Sequence, residues 1–262
     1  MSVPPSIRAV TFDFWNTLYA DEKGVSEERV RGRASLIAEA VVAAHPDMRS
    51  QLDDLRGRIS DALPEATRIR DESLHGFTGA ERIVWLLSEL GFSLPSDVVD
   101  SLAQGLAELG VALPPRPVDG ALEVVARVAG VARTGIVSDT GLTTGGYLRS
   151  LIQGDGLAGS FGALGFSDET GWSKPHAGAF GPVLAQLGVG PVEAVHVGDL
   201  AETDVAGALA LGMRAVWLDG GRPDAESALS GIARPDDPRL VRVGALTEIP
   251  AALAKLGLDL NR

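Results

Sequence analysis

Apolar residues fill positions 7–14 almost without interruption and then give way to a polar cluster, a pattern that predicts a short buried strand. From about residue 22 to residue 113 the spacing changes to threes and fours, as in Ala34, Ile37, Ala38 and Val41, or Ile83, Leu86, Leu87 and Leu90. That spacing predicts helices with few strands between them. Gly91 follows the last of these runs as a stop signal, and Pro114, Pro115 and Pro117 form a stiff connection that cannot continue a helix, read here as a hinge. Beyond it the chain alternates: helix at 121–131, strand at 134–138, helix at 177–187, strand at 194–197, helix at 204–211, strand at 214–218. The glycine-rich stretch 154–165 reads as loop, and no internal repeat is visible. Short alternation of this kind implies right-handed crossovers and a parallel sheet. The expected fold class is therefore α/β: a doubly wound parallel sheet built from residues 1–20 and 119–262, with an all-helical domain inserted at 21–118.

Composition narrows the function classes. The 262 residues are 45% hydrophobic and 22% charged, the balance of a chain that packs a core. With 23 basic against 35 acidic side chains the net charge is −12, and no basic tract interrupts the surplus, so neither nucleic acid nor an anionic membrane is an expected partner. The longest charge-free stretch, 175–192, is broken by Pro175, Pro182 and Pro191 and does not read as a membrane span. Residues 1–10 lack the basic and apolar regions of a secretory signal, and there is no cysteine for disulfides, thiolate metal sites or thiol nucleophiles. A cytoplasmic protein is the expectation.

In an open parallel sheet, ligands bind beyond the carboxyl ends of the strands. Four polar clusters fall at such ends: Asp13, Asn16 and Thr17; Ser138 and Asp139; Lys174; and Asp199 with Asp204. Taken singly each has a plain structural reading, Asp13 or Asp199 as a helix cap, Ser138 as a turn residue, Lys174 as a solvated charge. Taken together, three carboxylates, a hydroxyl and a lysine at one sheet edge are a poor way to build loops alone.

Residues 10–18 (VTFDFWNTL), Ser138, the Lys174-Pro175 pair, and Gly198-Asp199 followed by Asp204 resemble the four ordered motifs of the haloacid dehalogenase superfamily, over residues 10–213. The resemblance implies a Rossmann-like core and a catalytic role for Asp13 as nucleophile, forming an aspartyl-phosphate and splitting one hard hydrolysis into two easier steps. It implies Mg²⁺ held by Asp13, Asp199 and the backbone carbonyl of Trp15, oxygen ligands suited to a hard ion. Ser138 and Lys174 would act on the phosphoryl oxygens, and Asn16, Thr17 and Asp139 would complete the phosphate site. Asp204 would either join the outer shell of the metal or orient Lys174, and its plain reading is the N-cap of the following helix. Asn16 stands where the family commonly has glycine, and asparagine tolerates left-handed backbone angles.

One position departs from the phosphatase pattern. A second aspartate, two residues after the nucleophile, usually protonates the leaving group and later activates water; here that residue is Trp15, whose indole exchanges no proton near neutrality. The dehalogenases of the superfamily also lack this aspartate, because halide leaves without a proton. They typically lack the fourth-motif acid as well, which is present here as Asp199, and carry tyrosine where this chain has Phe180. Mg²⁺-dependent phosphate chemistry is the favoured reading, 2-haloacid dehalogenation the alternative, and a phosphate-binding pseudoenzyme the third. His176 is a candidate substitute acid/base, while His45, His75 and His196 take structural readings. The insert enters where the superfamily places a C1-type cap, and the short gap between Asp139 and Lys174 leaves no room for a second large one. From the insert, Arg29, Arg31, Arg33, Arg68 and Arg70 are candidates for contact with an anionic substrate, and Trp85 and Trp172 either line the cavity or pack.

Overall fold

The computed structural model describes residues 6–69, 73–221, 225–234 and 236–260; Arg70 lies outside the described residues. Eight strands are present among them: β1 (Ala9–Phe12), β2 (Tyr19–Ala20), β3 (Arg116–Pro117), β4 (Arg133–Ser138), β5 (Ala163–Phe166), β6 (Ala194–Gly198), β7 (Arg214–Leu218) and β8 (Leu240–Val243). Six form a parallel sheet in the order β5-β4-β1-β6-β7-β8, so the chain winds outward from β1 to one edge and then returns to wind toward the other. That is the doubly wound α/β sheet the alternating pattern predicts.

The register places the loops. Ala9 lies between Arg133 and Ala194, and Phe12 between Ile136 and Val197. Side chains alternate along β1, so Val10 and Phe12 join the apolar cluster of one face and Ala9 that of the other. The first face is covered by α5 (Ala121–Ala129), α6 (Gly145–Gly154) and α11 (Ile249–Lys255); the second by α8 (Ala177–Gln186) and α9 (Ala206–Ala210). Two shorter helices, α7 (Ser167–Thr170) and α10 (Ala225–Ala228), lie in the connections.

Between β2 and β3 the chain builds α1 (Val25–Ala44), α2 (Leu52–Arg68), α3 (Gly79–Glu89) and α4 (Ser96–Ala112), with a 3-10 turn at Pro46–Gln51. Each of the four packs on two others, α1 and α3 both against α2 and α4. Ile37, Val41, Ile59, Leu63, Ile83, Leu86 and Leu106 fill an apolar centre of their own, joined from the sheet side by Leu142. The spacing of threes and fours reads this correctly.

Three expectations need correction. The strand read at 7–14 spans only Ala9–Phe12, because the chain turns after Asp13. The stretch 154–165 is not loop throughout: it enters β5, where glycine is a packing requirement, since a Cβ on Gly165 would meet Val183 Cγ2 of α8 at 2.5 Å. The proline-rich connection is not a free hinge; Tyr19 and Ala20 pair antiparallel with Pro117 and Arg116, and Val118 N–H donates to Leu18 O at 2.9 Å. No helix among the described residues is long and apolar enough to cross a membrane.

Two glycines predict opposite outcomes. Gly165→Ala is expected to cost about 1–3 kcal/mol by overpacking against Val183. Gly57→Ala, exposed inside α2 with nothing within 4 Å of the added Cβ, is expected to gain about 0.5–1 kcal/mol from helix propensity. Urea unfolding midpoints of the two variants check both signs.

Candidate active site

β1 is the switch point of the sheet: the chain runs from it toward β4 on one side and later returns to β6 on the other, opening a crevice at its carboxyl end. Asp13 stands there, its backbone N–H held by Val197 O at 2.8 Å. The chain then reverses, with Leu18 and Tyr19 N–H both donating to Phe14 O, and Asn16 adopts a left-handed φ of 55°. Asn16 N–H donates to Tyr19 O at 2.7 Å, so contrary to expectation that amide is not free to face a phosphate. Trp15 is half-buried, its ring edge-on to Phe14 at 5.2 Å.

Lys174 is buried beneath this turn. Its Nζ donates to Asp13 Oδ1 and to Asp204 Oδ1, each at 2.6 Å, and its backbone N–H donates to Asp139 Oδ1 at 2.9 Å. Asp204 also accepts from His196 Nε2 at 3.1 Å and, through Oδ2, from Leu200 N–H at 2.9 Å. An ionised carboxylate only accepts, so His196 donates from Nε2, which leaves Nδ1 to accept from the Thr11 hydroxyl at 2.9 Å. The spacing left the task of Asp204 open; here it orients Lys174. Nor is it an N-cap: it lies inside a π turn, Ala201–Val205, that precedes α9 and folds its side chain back over Gly198. A Cβ on Gly198 would meet Asp204 Cγ at 2.3 Å, so only glycine leaves Asp204 its place.

The electrostatics follow from unequal compensation. Burial works against the charge of Lys174, but Asp13 and Asp204 hold its pKa above the ordinary lysine value. Burial also opposes the charge of Asp204, yet Lys174 and the His196 hydrogen bond keep its carboxyl below the usual range. Among the described residues Asp13 has one side-chain donor, Lys174, and two anionic neighbours, Asp204 and Asp199. Burial, together with Asp204 and Asp199, pushes it up to about 7 despite Lys174. Burial keeps His196 below its usual value and therefore neutral. Carboxylate oxygens of Asp13, Asp199 and Asp204 all lie within 4.8 Å of one another, a cluster able to hold a cation.

These groups open into a cavity of about 370 Å³ between the sheet edge and the helical layer. Asp13, Trp15, Asn16, Asp139, Lys174 and Asp199 line it; Asp204 supports it from behind. Ser138 and Thr17 are buried outside its wall, Ser138 Oγ donating to Asp139 O at 3.3 Å and the Thr17 hydroxyl having no partner. Of the candidate arginines, Arg29, Arg33 and Arg68 reach the wall and Arg31 faces away, exposed. Neither Trp85 nor Trp172 lines it: Trp85 packs among the four helices and Trp172 stacks on the His176 ring at 3.8 Å. His176 caps α8 through Nδ1, which accepts from Gly178 N–H at 3.0 Å, and is likewise outside the wall.

The sequence reading missed the contributions of Asp21, Thr140, Thr143 and Thr203 to this wall, residues carried by turns with no periodic signal. It also missed two seams between the helices and the sheet. Arg82 of α3 donates to Ala66 O and Thr67 O, satisfying the open carbonyl end of α2, and from its other nitrogen to Thr140 O at 2.8 Å. Nearby, Ser173 N–H donates to Leu74 O at 2.8 Å and Gly76 N–H to Gly171 O at 3.0 Å, immediately before Lys174. A Cβ on Gly76 would fall 2.0 Å from Ser167 O, which accounts for glycine there.

An acidic crevice with a buried lysine at the switch point of a doubly wound sheet marks an α/β enzyme. The chain belongs to the haloacid dehalogenase-like hydrolases, whose family model matches residues 7–212. It is 39% identical to phosphoserine phosphatase of Thermus thermophilus over 104 residues, which are 38% of this chain and 37% of that protein. It is 29% identical to the pyrimidine 5'-nucleotidase YjjG of Escherichia coli over 126 residues, 48% of this chain and 52% of that one. The matches thus span between about a third and a half of these curated relatives' lengths. In structure it resembles a HAD phosphatase from Thermococcus onnurineus (TM-score 0.60, 20% identity, covering 96% of this chain and 100% of that one). It also resembles a 2-haloacid dehalogenase from Pseudomonas syringae pv. Tomato DC3000 (TM-score 0.59, 24% identity, 95% and 99%). At these identities the likeness is one of fold.

The raised Asp13 sets a pH signature. An acid whose folded pKa lies above its unfolded value binds more protons folded than unfolded, so stability falls as pH rises from the unfolded value of 3.8 to about 7. In metal-free buffer, Asp13→Asn is therefore expected to raise Tm relative to wild type by a few degrees at about pH 8, and by much less at about pH 4.5. Calorimetric scans at the two pH values measure the difference.

Proposed function

We propose that the protein hydrolyses phosphate esters of small anionic metabolites by covalent catalysis at Asp13, with Mg²⁺ as cofactor. The observation that carries this reading is the convergence of Asp13, Asp199 and Asp204 within 4.8 Å of one another, with one ammonium, Lys174, between Asp13 and Asp204. Asp13 shares its ammonium with Asp204, and the all-oxygen donor set it forms with Asp199 suits a hard divalent ion. Asp13 and Asp199, with the Trp15 carbonyl, would hold the ion; Asp204 is committed to Lys174. When bound, Mg²⁺ supplies the positive charge that lets an anionic nucleophile approach an anionic phosphoryl group.

In this reading Lys174 fixes Asp13 through Oδ1, leaving Oδ2 without a hydrogen-bond partner among the described residues and able to attack phosphorus. The bond from phosphorus to the leaving oxygen breaks as the acyl phosphate forms on Asp13. Water then attacks phosphorus, and the carboxylate departs unchanged. Lys174 also draws on the charge spread over the phosphoryl oxygens. Ser138 contributes its hydroxyl by turning from its weak bond to Asp139 O, Asn16 its side-chain amide, and Thr17 its unpartnered hydroxyl. Asp139 serves by anchoring the Lys174 backbone. Residues 1–20 and 119–262 form the catalytic core and residues 21–118 a helical cap that excludes water and selects the substrate.

Trp15 supplies no proton, so aryl and acyl phosphates, whose leaving groups need little protonation, are the favoured substrates, and breakdown of the acyl phosphate is slow. The name of the Thermus relative supports phosphate as the reacting group. A second reading, hydrolysis of 2-haloacids at the same Asp13, is favoured by Trp15, since halide leaves without a proton.

A phosphate-release screen with Mg²⁺, run beside halide release from 2-haloacids, separates the two. Phosphate release that Asp13→Asn lowers by about 10³-fold or more is expected; halide release independent of Mg²⁺ would establish the second reading, and neither release with metal still bound would leave a binding protein. Calorimetric titration should show Mg²⁺ affinity reduced at least about tenfold in Asp199→Ala, and equal affinities would remove the metal assignment. Trp15→Asp should speed hydrolysis of alkyl phosphates by about 10- to 100-fold, at the low end of a restored general acid.

A further inference from the structure

Arg29 and Arg33 lie one turn apart on α1, both buried, and both reach the cavity wall. Their charges are treated differently. Arg29 is neutralised by Asp21, to which it donates twice at 3.0 and 2.8 Å, and also donates to Leu113 O. Arg33 is 6% exposed and forms no ion pair among the described residues; it donates from Nε to Leu106 O at 3.4 Å and from Nη2 to the Thr143 hydroxyl at 2.8 Å, both neutral acceptors. Neutral acceptors need only a neutral donor. A buried guanidinium without a counter-charge is costly, and Arg29 beside it adds repulsion. Burial and that neighbour push Arg33 down to about 10, and Asp21, paired with Arg29, offsets them only in part. Nη1 makes no hydrogen bond among the described residues, so the fork is half used.

We propose that Arg33 is the specificity residue of the cavity, binding a carboxylate that the substrate carries at the end remote from its phosphoryl group. This rests on the phosphatase reading above. The cavity places Lys174 and Arg33 in the walls of one space of about 370 Å³, room for a small metabolite with both anionic ends engaged. One uncompensated guanidinium matches a monoanionic carboxylate in charge and, through its planar nitrogens, in geometry. A second phosphate would ask for more positive charge than Arg33 offers while Arg29 is held by Asp21.

The test is a matched pair of phosphate esters, 3-phosphoglycerate and glycerol 3-phosphate, which differ by carboxylate against hydroxymethyl, with propane-1,3-diol bisphosphate as a third arm. Wild type is expected to favour 3-phosphoglycerate by about tenfold to a hundredfold in kcat/KM, expressed in KM. Arg33→Gln should bring that ratio close to one, and Arg33→Lys should restore part of it. Thr143→Val, which removes the neutral acceptor alone, should keep the ratio; if it collapses as in Arg33→Gln, Arg33 is a strut between helix and sheet and the proposal falls. It falls equally if wild type shows no preference, if Arg33→Gln leaves the ratio in place, or if the bisphosphate is preferred over 3-phosphoglycerate. Should wild type release phosphate from none of the three, the phosphatase reading stands or falls on aryl phosphate hydrolysis in the screen above. Calorimetric binding of 3-phosphoglycerate then judges Arg33: at least tenfold weaker binding to Arg33→Gln supports it, and equal binding overturns it.

Discussion

The ammonium of Lys174, taken out of water and set between Asp13 and Asp204, is the interaction on which the rest of the site depends. A charge so deeply placed is tolerable only with a partner at close range, and removing Asp204 leaves it to Asp13, the less stabilised carboxylate. The surrounding structure can be understood as the means of keeping those partners there. Gly198 has no side chain because Asp204 occupies that volume, His196 and Leu200 N–H hold Asp204, and Asp139 holds the backbone of Lys174 itself. One carboxylate emerges fully stabilised and the other does not. Asp13 is left as the less stabilised member of the pair because its neighbour takes most of the hydrogen bonds.

The parts of this arrangement visible in the sequence were those where an apolar run stops abruptly at a polar residue. Asp13 after β1 and Asp199 after β6 are of this kind, and their placement beyond strand ends is a matter of periodicity alone. The four helices of the insert were legible for the same reason. Asp204 was legible as a residue but not as a role, because the π turn that carries it shifts its side chain away from the position a regular helix start would give. β5 was hidden by its glycines, which read as loop and in fact let α8 approach the sheet. β2 and β3 were hidden by proline and by their brevity, two residues each.

The arginines show the limit more sharply. Arg29, Arg31 and Arg33 occur within one turn and a half of α1, and composition gives them equal standing. Helical geometry separates them, sending Arg31 to solvent and the other two inward. What then separates Arg29 from Arg33 is a single residue outside the helix, Asp21, whose position beside Arg29 follows from the β2 ribbon and not from any local pattern. The charge of a cavity is thus decided by pairings that link distant segments, and one carboxylate displaced by a turn would change what the space can bind.

The seam at Leu74, Gly76, Gly171 and Ser173 joins the helical layer to the stretch of backbone that leads directly into Lys174. Any excursion of the helices away from the sheet must either break those two hydrogen bonds or drag the lysine with them. Admission of a ligand and alignment of the charged centre are therefore mechanically interlocked. If Asp13 acts as proposed, a movement that carried Lys174 off would take away the cation that holds it, so that an exposed Asp13 would also be a disarmed one.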